Sequence, residues 1–384
     1  MTACHLNEND AGPFASGSRD LEVQLTASLF DPIRLGAIEA PNRILMGPLT
    51  RGRATRDHVL TPLMAEYHAQ RASAGLIISE STGISRQGLG MPFAPCLWSE
   101  EQVEGWKQVT AAVHGAGGRI FSQLWHRGRL VNPDFVVGAQ PVSASVTTAP
   151  DHAHTYNGEK PYAQARALRI DELPGLIQDY RLAARYAIDA GFDGVQVHDA
   201  NGYLINQFLR DGSNHRRNEY SGRVGNRIRL LREVTEAVVA EVGAGRTAVR
   251  LSPNGAIQGV DDSDPETLFV AAAACMGSMG LAFLALREPE PHGTFGTSNV
   301  APVAPGIRKV FTGPLVLNSG YEAPRAQAAL DDGRADAIAF GRAFRANPDH
   351  PHRIQDHLAL TEGNVATWYK QGPKGYVDYA RAPG

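Results

Sequence analysis

Eight short apolar runs recur along this chain, and that count constrains its fold more than any other feature. They are "RILMGPL" (43–49), "GLIISES" (75–81), "RIFSQLW" (119–125), "GVQVH" (194–198), "TAVRLS" (247–252), "LAFLAL" (281–286), "PLVLNSG" (314–320) and "AIAFGR" (337–342). Between them, 62–73, 99–114, 171–190 and 227–242 carry apolar residues at helical spacing, and 324–332 is a shorter stretch of the same kind. Strands that alternate with helices pair in parallel, because parallel neighbours need a crossover of about a dozen residues or more. Eight is also the number of strands that closes a barrel. The predicted fold is therefore α/β, a single TIM (β/α)8 barrel. An open doubly wound sheet is the alternative, but it would usually carry G-x-G-x-x-G after its first strand. Gly115, Gly117 and Gly118 approach that pattern, with Ile120 where the third glycine belongs.

Ahead of the first run, "LFDPIRLGAIEAPNR" reads as two short strands about Gly36, a hairpin closing the barrel floor. The longest insertions, 127–170 and 287–301, follow strands and so belong over the C-terminal face, where barrels build their sites. Residues 1–25 are polar and lack the basic start and apolar core of a signal peptide, so a mobile tail is expected there and one barrel domain over 26–384. The segment 268–286 has no charge and approaches the length of a membrane span, but Gly277, Ser278 and Gly280 divide it into a helix and a strand. A net charge of -3 without blocks of one sign argues against nucleic acid and membrane partners. Cys4, Cys96 and Cys275 are odd in number and far apart, which suits a reducing, cytoplasmic setting. No pattern speaks to oligomeric state.

Polar residues gather where the predicted strands end: Thr50, Ser81, Gln123 with Trp125, His198 with Asn201 and Tyr203, Arg250, Gly320, and Gly341 with Arg342. Singly, each has an ordinary explanation as a helix cap, a surface charge or a core histidine. In a barrel they converge on one mouth. Arg250 lies inside the apolar "AVRLS", so its charge requires a partner or a ligand. The glycines of "LNSGYE" and "AFGRAF" let backbone approach closely, and Arg342 can clamp two oxygens; loops at these positions suit a phosphate.

The segments "MGPLTRGRA", "AGLIISEST", "QLWHRGR", "HDANGYLINQFL", "VRLSP" and "AFGRAFRANPD", taken in order, resemble the signatures of the Old Yellow Enzyme family, and the likeness runs over about 29–379. The family's members are FMN-dependent ene-reductases on a TIM barrel. The resemblance implies that FMN lies across the mouth with its phosphate on Gly320, Gly341 and Arg342. It assigns Thr50 to a flavin carbonyl, Gln123 to the pyrimidine edge, the backbone near Pro48, Leu49 and Ser81 to the ring, and Arg250 to the N1–O2 side. His198 and Asn201 correspond to the donors on the carbonyl of an activated alkene, an enone, maleimide or nitroalkene. Tyr203 corresponds to the acid that protonates the α-carbon. Trp125 and Tyr369 are similar to residues that shape the pocket. NADPH or NADH would reduce the flavin from the substrate's own place, which accounts for the missing dinucleotide fingerprint. Nitrate esters and nitroaromatics are side substrates within the family.

Two positions depart from the family pattern. Asp199 follows the histidine where a small residue is common, and Met91 stands where many relatives have a tyrosine by the pocket. The insertion "REPEPHGTFGTSN" has no evident counterpart. A metal-dependent hydrolase is a competing reading, because His152 with His154 and His350 with His352 are spaced H-x-H. A non-catalytic flavin binder is another. The iron–sulfur relatives would need clustered cysteines that this chain lacks.

Overall fold

The computed structural model describes residues 27–255, 257–289, 298 and 300–382; the expected tail, Cys4, and positions 290–297 and 299 of the second insertion lie outside the described residues. The strands in chain order are β1 (Ile33–Leu35), β2 (Ile38–Ala40), β3 (Ile44–Met46), β4 (Ile77–Gly83), β5 (Ile120–Trp125), β6 (Val142–Ser143), β7 (His152–Thr155), β8 (Gly158–Pro161), β9 (Arg166–Ala167), β10 (Gly194–Asp199), β11 (Thr247–Leu251), β12 (Phe283–Arg287), β13 (Leu315–Asn318) and β14 (Ala337–Phe340). Eight of them, β3, β4, β5, β10, β11, β12, β13 and β14, form a closed barrel. β14 returns to β3 in parallel through Ile338 opposite Ile44, so the open-sheet alternative does not hold. Each barrel strand overlaps one of the eight apolar runs, because strands covered on both faces tolerate few polar side chains.

The two faces of these strands feed different cores. Val195, Val197, Val249, Leu251, Leu284 and Leu286 point outward and pack with helix residues such as Leu176, Tyr180, Val234 and Ala272. Phe121, Ala248, Phe283, Ala285, Val316 and Ala339 point inward and fill the barrel. Leu35 and Ile38 of the β1–β2 hairpin join this inner cluster and close its floor. Gly36 makes that closure possible. Its φ is +60°, and a Cβ there would fall 2.2 Å from the Gly245 carbonyl oxygen, which accepts a bond from Ala37 N at 2.8 Å.

The helices Pro62–Ala69, Glu100–Gly115, Leu173–Asp189, Arg229–Val242, Pro265–Gly277 and Ala323–Asp331 correspond to the expected helical segments. The uncharged stretch 268–286 divides as its glycines suggested, into the helix Pro265–Gly277 and strand β12. Among the described residues no helix is long and apolar enough to cross a membrane. The first insertion folds as the antiparallel β7–β8 hairpin and the short parallel pair β6–β9. Its Leu130, Ala149, Ala153 and Tyr162 pack against Tyr203, which sets the insertion over the end of β10.

Candidate active site

Strand alternation decides which polar residues meet. Phe121 points inward, so Gln123 and Trp125 on β5 do as well; by the same count Gln196 and His198 on β10, Arg250 on β11, Arg287 on β12 and Asn318 on β13 all face the barrel axis. A register shift in β4 between Ile78 and Ser81 brings Ser81 opposite Gln123. The Ser81 hydroxyl donates to Gln123 Oε1 at 2.6 Å, and Gln123 Nε2 donates to Gln196 Oε1 at 2.8 Å. This chain of bonds fixes the Gln123 amide at the barrel mouth.

At the end of β10, His198 is 2% exposed and Nδ1 has no hydrogen-bond partner. Burial, followed by the charges of Arg250 and Arg287, holds its pKa well below the ordinary histidine value, so the ring is neutral. Three residues on, Asn201 adopts φ +59°, with its N–H bonded to Ser252 Oγ at 2.9 Å. Arg287 Nη1 donates to Asn201 Oδ1 at 3.1 Å. Tyr203 stands at the start of the helix Leu204–Leu209, edge-on to Trp125 with ring centroids 5.3 Å apart. Burial raises the phenol's pKa, so it keeps its proton at neutral pH.

Arg250 is 7% exposed, and its hydrogen-bond partner is a neutral amide, Asn318 Oδ1, at 2.8 Å. Burial and the nearby Arg287 lower its pKa to about 9, which leaves it cationic at neutral pH. No carboxylate among the described residues pairs with it, so the charge that the sequence placed inside a strand still calls for an anionic or electron-rich ligand. Gly320 has φ +68°, and a Cβ on Gly320 or Gly341 would meet nothing closer than 3.7 Å, so both loops border open space. Leu49 is the neighbour that such an atom on Gly341 would touch, which brings the β3 loop beside the β14 loop. A buried cation without an acidic partner, an orphaned imidazole nitrogen and two open glycine loops suit a flat heterocycle that carries a phosphate tail.

Thr50 is half-buried and follows Pro48 and Leu49 out of β3. The next two residues are pinned by Glu80, a buried carboxylate on β4 that accepts from Arg51 N at 2.8 Å and Gly52 N at 3.3 Å. Met91 lies against this loop, its methyl 3.9 Å from where a Cβ on Gly52 would stand. Arg342 is exposed at the rim, and Tyr369 is 55% exposed. Asp199 turns outward, away from His198, toward Asn206, Tyr180 and Arg210. Burial raises the Asp199 carboxyl well above the ordinary carboxylate range. The H-x-H pairs do not converge: His152 and His154 are exposed on β7, while His350 is buried against Phe340 and Phe344 and His352 is half-buried. Among the described residues no group of three or more possible ligands could hold a metal ion.

Residues 28–361 match the NADH:flavin oxidoreductase / NADH oxidase family. The chain belongs to that family. Among solved structures, the old yellow enzyme homologue from Zymomonas mobilis is 60% identical with a TM-score of 0.91, covering 92% of this chain and 99% of its own. Morphinone reductase is 42% identical with a TM-score of 0.89, covering 92% and 96%. A 12-oxophytodienoate reductase 1 of Oryza sativa is 39% identical over 91% of this chain and 92% of its own. As a member of the Old Yellow Enzyme family, it is an NAD(P)H- and FMN-dependent ene-reductase. Sequence reasoning missed Gln196, Arg287 and Asn318 at the mouth. Continuing the two-residue period through β10, β12 and β13 would have placed them there.

Proposed function

We propose that this enzyme reduces alkenes conjugated to an electron-withdrawing oxygen function, such as enones, maleimides and nitroalkenes. FMN, when bound, supplies the hydride that it takes from NAD(P)H. Gly320, Gly341 and Arg342 would hold its phosphate, and Thr50, Gln123 and the backbone about Pro48, Leu49 and Ser81 would hold its ring. Arg250 sets a fixed positive charge against the ring's electron-rich edge and favours the reduced state.

His198 and Asn201 donate to the substrate's oxygen. Negative charge builds there only as the β-carbon is attacked, so these bonds strengthen in the transition state. The neutral state of His198 suits this role, because one ring N–H donates without a proton having to leave. Tyr203 gives its phenolic proton to the α-carbon. Trp125, Met91 and Tyr369 shape the space around the alkene. The observation that carries this reading is the convergence of neutral His198, Tyr203 and an Arg250 without an acidic partner.

The test is anaerobic. NADPH should bleach the flavin band of the purified yellow protein, and 2-cyclohexenone or a maleimide should restore it with release of the saturated product. A bound flavin that stays oxidised with NADPH would point to a non-catalytic binder instead. A cytoplasmic setting is the proposal for its location, supported by Cys96 and Cys275, which are free thiols.

A further inference from the structure

Arg287 was not among the residues the sequence singled out, yet it is 3% exposed and faces the barrel axis from the last position of β12. Its Nη1 lies 3.1 Å from Asn201 Oδ1. A guanidinium can only donate, so this bond settles which end of the amide is which. The oxygen of Asn201 is turned toward Arg287, and the NH2 group is turned away from it. The backbone of Asn201 cannot readily swing to undo this, since its N–H is bonded to Ser252 Oγ at 2.9 Å and its φ is +59°.

We propose that Arg287 is a positioning residue that holds Asn201 as a hydrogen-bond donor toward the substrate's oxygen. The proposal rests on the reading that His198 and Asn201 bind that oxygen. Without the bond to Arg287 the amide can present its oxygen instead, which would repel the developing negative charge. The bond also polarises the amide, because its carbonyl accepts from a cation and its N–H becomes a better donor. Arg287 thus acts through Asn201.

Arg287→Met and Arg287→Lys test this in the FMN-loaded enzyme, alone and combined with Asn201→Ala. The probe is 4-hydroxybenzaldehyde, whose phenolate gives an absorbance change on binding to oxidised flavin; turnover of 2-cyclohexenone is the second readout. Arg287→Met should weaken the phenolate by about ten- to a hundredfold, with a parallel loss in kcat/KM. Arg287→Lys, which keeps a cationic donor, should recover part of that loss. In the Asn201→Ala background, Arg287→Met should cost little more. Full additivity of the two substitutions would overturn the proposal, as would a methionine variant that binds the phenolate like the parent. Flavin content and melting temperature identify a variant that has failed to fold, and the lysine variant then carries the test against Asn201→Ala. If the parent enzyme itself neither binds the phenolate nor reduces the enone, the reading of the site has failed rather than the role of Arg287.

Discussion

The rings of His198 and Tyr203 meet edge to face, with centroids 4.9 Å apart, although five positions separate them in sequence. The intervening Asn201 and Gly202 both have positive φ, and that turn folds the end of β10 back over itself. A donor for the substrate's oxygen and a proton source are thereby placed side by side on one short segment.

Tyr203→Phe keeps the ring and removes the proton. Reduction of the enone should slow by about 10²- to 10⁴-fold, the usual worth of a general acid. Reduction of the flavin by NADPH needs no such proton and should change little. Stopped-flow measurement of the two half-reactions separates these outcomes. Equal slowing of both would assign Tyr203 to binding.

Arg250→Met removes the buried cation that lacks an acidic partner. The reduced state of the flavin then loses its nearest positive charge, and the midpoint potential should fall by about 30–60 mV. That is the two-electron equivalent of roughly 1.5–3 kcal/mol for a bond to a charged group. Spectroelectrochemistry reads it directly, and FMN should also dissociate more readily on dilution.

The loop after Thr50 is tied to the C-terminal segment. Glu80 accepts from Tyr376 Oη at 3.3 Å, and Tyr376 stacks on Tyr67 with centroids 4.1 Å apart. Arg51 and Arg53 donate to carbonyl oxygens of Thr367, Trp368 and Gly375. Tyr376→Phe leaves one oxygen of the buried Glu80 short of a donor and should cost about 1–3 kcal/mol. Tyr376→Leu loses the stacking too and should cost more. Thermal unfolding of the FMN-loaded enzyme gives the order of the two.

Buried histidines and buried carboxyls link stability to pH with opposite signs. Burial depresses His68 to about 4, His126 to about 3 and His350 to about 4, from an ordinary 6.5. Each contributes stability that is present above 6.5 and is lost as pH falls toward its folded value, because the unfolded chain takes up the proton first. Glu288 has the opposite sign. Burial raises it to about 7, so its contribution is present below its ordinary 4.5 and is lost as pH rises through 7. Between about 4.5 and 6.5 these three histidines, joined by His58 and His198, lose stability on acidification, while Glu288 and the buried carboxyls of Glu80, Asp179 and Asp199, all raised by burial, gain. Glu288→Gln removes one of the gaining groups, so on acidification across that window the variant's melting temperature should fall relative to that of the parent; an unchanged difference would remove Glu288 from the ledger.

The barrel could be read from the chain because its strands are buried on both faces and so spell continuous apolar runs. β5, β10 and β11 are each recovered to within a residue. Arg250 stood out for the same reason, as a charge where only apolar residues otherwise fit. Arg287 escaped notice because it ends an apolar run and adjoins a polar insertion, where arginine is unremarkable. The register of β12 beside β11, with Arg250 opposite Ala285, puts Arg287 on the same side of the sheet and two positions further along β12. Gln196 was hidden in a similar way, since a glutamine between two valines reads as a solvent-facing position until the barrel closes around it.

The order and composition of the segments determined the barrel, the family and the identity of the main donors, because burial on two faces and short motifs are local properties of a chain. Which of those donors face one another was decided only by closure. Parallel pairing sets residues far apart in sequence at one height on the barrel axis, as it does Ser81, Gln123 and Gln196. The bond from Arg287 to Asn201 is likewise a consequence of register, and pairwise register across crossovers of tens of residues is not encoded by any one segment.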